Sequence, residues 1–433
     1  MLAPKQTVGL PTVLAFYTLA CIPFFWNCAI DKYFCADAAF YFVRMLDAGN
    51  YMDFAWSRNH AVYLTEWPLI LAVDSGVTNL ATLQWLHGFG IFFPALISIV
   101  LSIAFCPKPM RSLLLLHAMS FFALTYPADN IMTGESHVLV FLTWPILFAI
   151  LSDKLQDNRY FALVVPVLLA YTRLYESALF TAPLLMLILL YRLYTKEIQL
   201  PTIKKITILG LLLAAAVIAV WAVVFPRDPN NRTDFVGAMA SGLTHPQFIA
   251  SFIFLVFWYW STNSKRNGLT LVGLILSAAL VGYFMISGTS VSASTSFACR
   301  TLSFTTLPLL MLAAWRLSQQ KTIAYHRAAT GLFLILMLGF HFFLARSWAD
   351  YRADFKTALT TNSGFVAVET TGLNEHPQKW YWTNPILSYL WSEGEVTTII
   401  LNEPGNYEPY KAQEEPIIAR YKTQRLIAAP SLN

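Results

Sequence analysis

Long apolar runs alternate with short polar stretches along most of this chain. A helix that crosses a bilayer needs about 20 apolar residues, and by that measure about eleven segments are candidates. Some are short and contain proline, which neighbouring helices can accommodate. They centre on residues 9–28, 85–105, 112–126, 138–152, 160–172, 178–194, 206–225, 247–261, 269–287, 304–317 and 328–345. The run Val8–Cys28 is longer than a signal-peptide core and lacks a clear small-residue cleavage site, so it reads as a retained first span. The alternation fails in two places. Residues 29–84 mix charges with apolar and aromatic side chains. Residues 346–433 have ordinary charge density and β-branched stretches such as Glu395–Leu401, after a predicted turn at Ser392–Gly394. The predicted fold is an all-α polytopic membrane protein. It has a transmembrane module over 1–345 and a small α/β appendage over 346–433, anchored by Trp380, Trp382 and Trp391 and near the lower size limit for folding alone.

Composition agrees. The 433-residue chain is 57% hydrophobic and only 12% charged, about half the charge usual in a soluble domain. The net charge of +5 is too small to imply nucleic acid, but its distribution sets an orientation. Lys5, Lys108 and Arg111, Lys154 and Arg159, then Arg192, Lys196, Lys204 and Lys205, occupy every second inter-span position. Lys265 and Arg266, then Arg316, Lys321 and Arg327, continue the series. That face is predicted to be cytoplasmic and to hold the amino terminus, with the carboxyl terminus opposite. The outer segments are then 29–84, 127–137, 173–177, 226–246, 288–303 and 346–433. The five Cys show no metal-type spacing, and Cys35 and Cys299 on the outer face are either free thiols or a pair.

Candidate chemistry gathers in those outer segments. Asp31–Pro68 holds eight acidic or basic side chains and one His. Within it, Asp37 opens a helical pattern that Gly49 stops. Asp37 serves there either as an N-cap or as a functional carboxylate favoured by the helix dipole. Asp31 stands at the lip of the first span, as an interfacial stop residue or a second carboxylate. Arg58, His60, Tyr63 and Glu66 follow, and Pro68 leads into a second short apolar helix over 68–73. In the loop Pro127–His137, Asp129, Glu135 and His137 lie at the surface, and Glu135 with His137 suits structural contacts, a phosphate or a divalent metal. Arg173 and Glu176 are spaced for an i,i+3 ion pair. Arg300 closes a Ser/Thr-rich loop, either snorkelling or holding a phosphate. There is no P-loop, GxSxG, HExxH or CxxC.

The stretches DAAFYFVRMLDAGNYMDF (Asp37–Phe54) and YLTEWPLILAVDSGV (Tyr63–Val77) resemble the first outer loop of the GT-C superfamily of membrane glycosyltransferases. That group includes protein mannosyltransferases and lipid A aminoarabinose transferases. Asp37, Gly49–Tyr51 and Pro68–Leu69 fall on the family's positions in order. The chain departs where the family shows paired acidic residues (here Asp37–Ala38) and Lys-Pro-Pro (here Glu66–Trp67–Pro68). The resemblance implies an enzyme of the bacterial inner membrane. It would move a sugar from a polyprenyl-phosphate carrier to a periplasmic glycan, lipid or protein acceptor, with inversion. It implies Asp37 as base, with Asp31 as the fallback. Arg58, His60, Glu66, Glu135, His137, Arg173, Glu176 and Arg300 would bind substrate. A divalent metal is allowed but not required. A lipid-linked saccharide transporter or flippase, and an O-antigen ligase-type enzyme, are the competing readings.

Overall fold

The computed structural model describes residues 8–35, 37–51, 56–128, 135–225, 235–264, 266, 268–320, 327–379, 383–392 and 396–401. These are mostly helical. The helices are α1 (Leu10–Ala29), α2 (Asp37–Ala48), α3 (Asn59–Asp74), α4 (Leu80–Phe105), α5 (Leu113–Ser120) and α6 (Glu135–Leu151). Then come α7 (Asn158–Tyr171), α8 (Ala178–Tyr194), α9 (Thr202–Val224), α10 (Phe235–Leu243) and α11 (Pro246–Ser264). The last are α12 (Gly268–Ile286), α13 (Ala293–Cys299), α14 (Thr306–Ser318), α15 (Arg327–Thr361) and α16 (Asn384–Trp391). Two strands, β1 (Gly364–Ala367) and β2 (Thr398–Leu401), pair in parallel with Gly364 opposite Thr398.

Five helices, α1, α4, α9, α12 and α15, are long and apolar enough to cross a bilayer. Two bent pairs raise the number to seven if each counts as one span. The prediction of eleven spans is therefore not met. The remaining apolar segments form helices of 10–17 residues, shorter than the ~20 that a perpendicular crossing needs. The chain is a mostly helical membrane protein, and its apolar faces place it in a lipid bilayer.

Burial sorts these helices. Every residue of α6 is buried, as expected for a helix that is apolar all round. It packs against α4, α7 and α8. By contrast, only 28% of the most apolar stretch of α9, and the same share of α12, is buried. Their bare side chains, such as Leu213 and Val217 or Ile275 and Leu276, suit a lipid environment. The bent pairs break where the sequence breaks. α10 meets α11 at 80° across a Thr-His-Pro step, and the α13 segment meets α14 at 42°. The two pairs touch near their bends: a Cβ on Gly242 would lie 3.0 Å from the Ala298 carbonyl oxygen.

A second apolar core covers one end of the bundle. It joins α2 (Ala38, Phe42, Met45) to Leu69 and Ile70 of α3, Trp348 and Phe355 of α15, α16 and β2. The boundary drawn at 345 falls inside α15, which runs unbroken through it for 35 residues. Trp348 Nε1 donates to the Ile30 carbonyl at 2.9 Å, and the Ser388 hydroxyl accepts from the Ile400 N–H at 3.0 Å. So the C-terminal segment is clamped to the first loop. Residues 402–433, Trp380, Trp382 and most of the predicted turn at 392–394 lie outside the described residues. Cys35 belongs to this core and Cys299 to the bundle core, and no disulfide joins them.

The first loop follows its pattern at α2, which starts at Asp37 and ends before Gly49 at φ 59°. It departs at α3. Pro68 does not start that helix but lies inside it, and the helix begins nine residues earlier, at Asn59. Gly90 permits the close approach to α4, since a Cβ there would come within 1.7 Å of the Thr65 carbonyl oxygen.

Candidate functional site

A clasp between two chain segments builds the site. The His60 backbone N–H donates to the Arg173 carbonyl at 3.2 Å. His60 Nδ1 meets the Ala170 carbonyl at 3.0 Å. In return Arg173 Nε donates to the Trp56 carbonyl at 2.5 Å, and its guanidinium lies 5.6 Å from the Trp56 ring. The start of α3 is thereby fixed to the end of α7, and Arg58 between them is aimed inward.

Arg58 forks between two carboxylates. Its Nη1 reaches Glu135 Oε2 at 2.7 Å and its Nε reaches Glu176 Oε1 at 2.7 Å. The Tyr175 ring lies 5.0 Å from the guanidinium. Glu135 is the first residue of α6, where the helix dipole favours a negative charge. Burial works against the Arg58 charge, but Glu135 and Glu176 more than offset it and hold the pKa well above the usual arginine value. Burial pulls His60 below its usual pKa, the Ala170 hydrogen bond opposes that, and Arg173 adds to it.

Arg300 completes the group. Its charge acts on both Glu135 and Tyr175. Its guanidinium stacks 3.6 Å from the Phe297 ring. No carboxylate among the described residues lies within ion-pair distance of it. Arg58 pairs with both glutamates, Arg300 acts on Glu135, and Arg173 faces Trp56 beside them. The three arginines and two glutamates of this neighbourhood sum to about one positive charge, and the site is partly open: Arg58 is 22% exposed, Glu176 13% and Glu135 9%. Guanidinium groups at such a site are suited to a phosphate, which they can bind through two parallel hydrogen bonds.

Six of the predicted site residues, Arg58, His60, Glu135, Arg173, Glu176 and Arg300, are therefore neighbours. The local pair predicted between Arg173 and Glu176 does not form. Arg58 outcompetes Arg173 for Glu176, because α7 ends at Tyr171 and the two residues do not share a helical turn. Glu66 is elsewhere. The early start of α3 turns it into the interface with α4, where it pairs with His87 Nδ1 at 2.8 Å and both side chains are fully buried. The Phe34 ring stacks on His87 at 5.4 Å and seals the pair.

Asp31, in a left-handed backbone conformation at φ 55°, binds Arg352 at 2.5 Å. Burial raises its pKa, and Arg352 opposes that shift. His137 is buried one turn into α6, away from solvent. Asp37 opens α2, but its side chain, like Asp129, lies outside the described residues. Among the described residues no group of three or more His, Cys, Asp or Glu is placed to hold a metal ion.

Comparison of the chain with protein-family models, curated proteins and solved structures finds no match. The site must be read from its own geometry.

Sequence reasoning missed two features. Tyr175 and Trp56 flank the arginines, and nothing in their spacing marks them out from ordinary interfacial aromatics. The other is a buried polar group. His341 of α15 lies 3.1 Å from Asn27 Oδ1 and 3.4 Å from Gln247 Oε1. His245 Nδ1 accepts from the Gln247 N–H at 3.3 Å. A histidine inside an apolar run was the available signal, because ionisable side chains at that depth need polar partners.

Proposed function

We propose that the protein is an integral-membrane glycosyltransferase of GT-C type. It would take a sugar from a polyprenyl-phosphate carrier and pass it to an acceptor at the outer face of a bacterial inner membrane. The arginine–carboxylate cluster carries this reading. A sugar on a single-phosphate carrier bears one negative charge, and the cluster holds about one positive charge in excess. Arg300 would grip the phosphate, with Arg58 and Arg173 behind it. The carrier's tail would lie against the bare apolar helices.

Asp37, the first residue of α2, is proposed as the base that takes the acceptor hydroxyl's proton. Asp31 is the weaker candidate, since Arg352 already occupies its carboxylate. Asp37→Asn is expected to lower transfer by ~10²–10⁴-fold while the protein still folds and inserts. Undiminished transfer by that variant, measured with defined polyprenyl-phosphate sugars, removes Asp37 from the role. Arg300→Ala is expected to weaken donor binding, and unchanged donor affinity and rate would take Arg300 out of the site.

The bent helices favour a second reading, a lipid-linked saccharide transporter or flippase. Two broken segments that meet near their bends are a recurring way to expose helix ends to a substrate inside a membrane. Movement of a lipid-linked sugar across vesicles, without glycosyl transfer, would decide for it.

A further inference from the structure

The cleft of about 500 Å³ beside the first loop has no role so far. Its size falls within the ~300–1,000 Å³ of small-molecule sites. The local sequence builds it in two strokes. Gly49, at φ 59°, turns the chain off α2 and brings Asn50 and Tyr51 over α3. On α3, Trp67, Ile70, Leu71 and Asp74 recur at i, i+3, i+4 and i+7, so they share one face, and all four line the cleft.

The lining is a particular mixture. Trp67 and Tyr51 supply aromatic surface, with Ile70 and Leu71 beside them. Trp67 Nε1 is a buried donor with no partner among the described residues. The Asp74 carboxylate is exposed, and among the described residues no hydrogen bond or ion pair engages it. Its charge acts on Tyr51. Asn50 Oδ1 accepts the Tyr51 N–H at 2.7 Å, which leaves its amide hydrogens as donors. A sugar ring needs this combination. Its C–H face is attracted to the electron-rich face of an aromatic ring, and its hydroxyls need donors and acceptors at the rim. A lipid tail would leave Asp74 and the Asn50 amide hydrogens unanswered, and a phosphate would be repelled by Asp74.

The cleft is also joined to the arginine cluster. Tyr51 packs edge-on against Tyr63 at 4.9 Å, and Tyr63 lies 6.2 Å from the His60 ring. The outer side of Tyr63 is exposed. A row of rings thus runs from the cleft to the clasp that fixes Arg58.

We propose that this cleft is a saccharide subsite and that the row of rings carries a glycan chain of several units towards the arginine cluster. The acceptor is then an oligosaccharide or polysaccharide, held by a pyranose unit at Trp67 and Asp74. The direction of transfer rests on the proposed function, but the binding does not.

The test uses the full chain in nanodiscs. Saturation-transfer NMR is run with methyl pyranosides of glucose, galactose and mannose and with linear trisaccharides of each. At least one sugar is expected to bind, with the trisaccharide tighter than the monosaccharide. Asp74→Ala and Asn50→Ala, both surface changes, are each expected to weaken binding tenfold or more. Arg300→Ala is expected to leave saccharide binding unchanged and to lose the donor. No binding by any sugar in the set, or binding that both cleft variants leave intact, overturns the subsite. If donor binding and transfer persist in those cases, the glycosyltransferase reading stands without it. Saccharide binding that survives while no variant of the arginine cluster affects a donor leaves the subsite and removes that reading.

Discussion

Glu66 and Glu135 sit on neighbouring helices of one protein, and each binds a single basic partner directly. Glu66 meets His87 where neither side chain has any exposure, under a stacked Phe34 ring. Glu135 meets Arg58 in a cluster that still reaches water and that includes a further guanidinium without a carboxylate of its own. The first arrangement is closed: no substrate atom can reach it, so its polarity serves the packing of α3 on α4. The second is open and carries excess charge. Both sites pair a glutamate with a basic side chain, and access and excess charge separate them.

The comparison breaks most sharply at the sealed pair. Glu66→Ala is expected to cost roughly 3–5 kcal/mol of stability, because it leaves His87 without its hydrogen-bond partner and opens a cavity in a dry interface. The transfer rate of the surviving folded protein should be unchanged. Thermal unfolding in detergent checks the first part. A drop in specific activity at full stability would reopen the case for Glu66 as a substrate ligand.

Arg58→Ala comes next. It leaves Glu135 and Glu176 facing each other without their shared cation, and a loss of about 1–3 kcal/mol is expected, together with loss of donor binding. Arg58→Lys should recover only part of either, because a compact ammonium lacks the fixed, planar spacing of the Nε and Nη1 donors that reach the two carboxylates. Full rescue by lysine would show that the fork is unimportant. Arg300→Ala should separate binding from folding altogether. Among the described residues its guanidinium stacks on Phe297 and makes no ion pair, so stability should change by less than about 0.5 kcal/mol while donor affinity falls.

The smallest effect is expected at His60. Its folded pKa lies below the usual 6.5. In the window between the two values the unfolded chain binds the extra proton, so stability rises with pH there. As pH falls below about 6.5 the folded state loses ground. His60→Asn should flatten that dependence slightly and leave stability above pH 7 nearly unchanged. An unaltered slope between pH 5 and pH 7 would show that His60 does not contribute.

The periodic parts of the chain were the most readable. α2 was visible from its apolar spacing and from Gly49, because a short amphipathic helix with a left-handed stop leaves both marks in the sequence. Proline misled at α3. Pro68 reads as a first-turn residue, but tertiary packing against Gly90 holds it inside a longer helix. That shift alone moved Glu66 from an open loop to a closed interface. The cluster around Arg58 was readable as a set of candidate residues and unreadable as an arrangement. Its members come from positions 58, 135, 176 and 300, and only tertiary contacts bring them together. The local guess, Arg173 with Glu176, was natural for one helix and failed because α7 ends at Tyr171, before both residues.

The clamp between the first loop and α15 also bears on biogenesis. Trp348 holds the Ile30 carbonyl, and Arg352 holds Asp31. These partners are separated by 318 residues in the first case, so most of the chain must be synthesised and threaded before the first loop can find its last contacts. Contacts this distant in sequence form late and slowly. During insertion the apolar side of α2 has only part of its cover, from α3, until α15 and α16 arrive. A ribosome stalled before residue 348 should therefore leave the first loop open to protease, and release of the finished chain should close it.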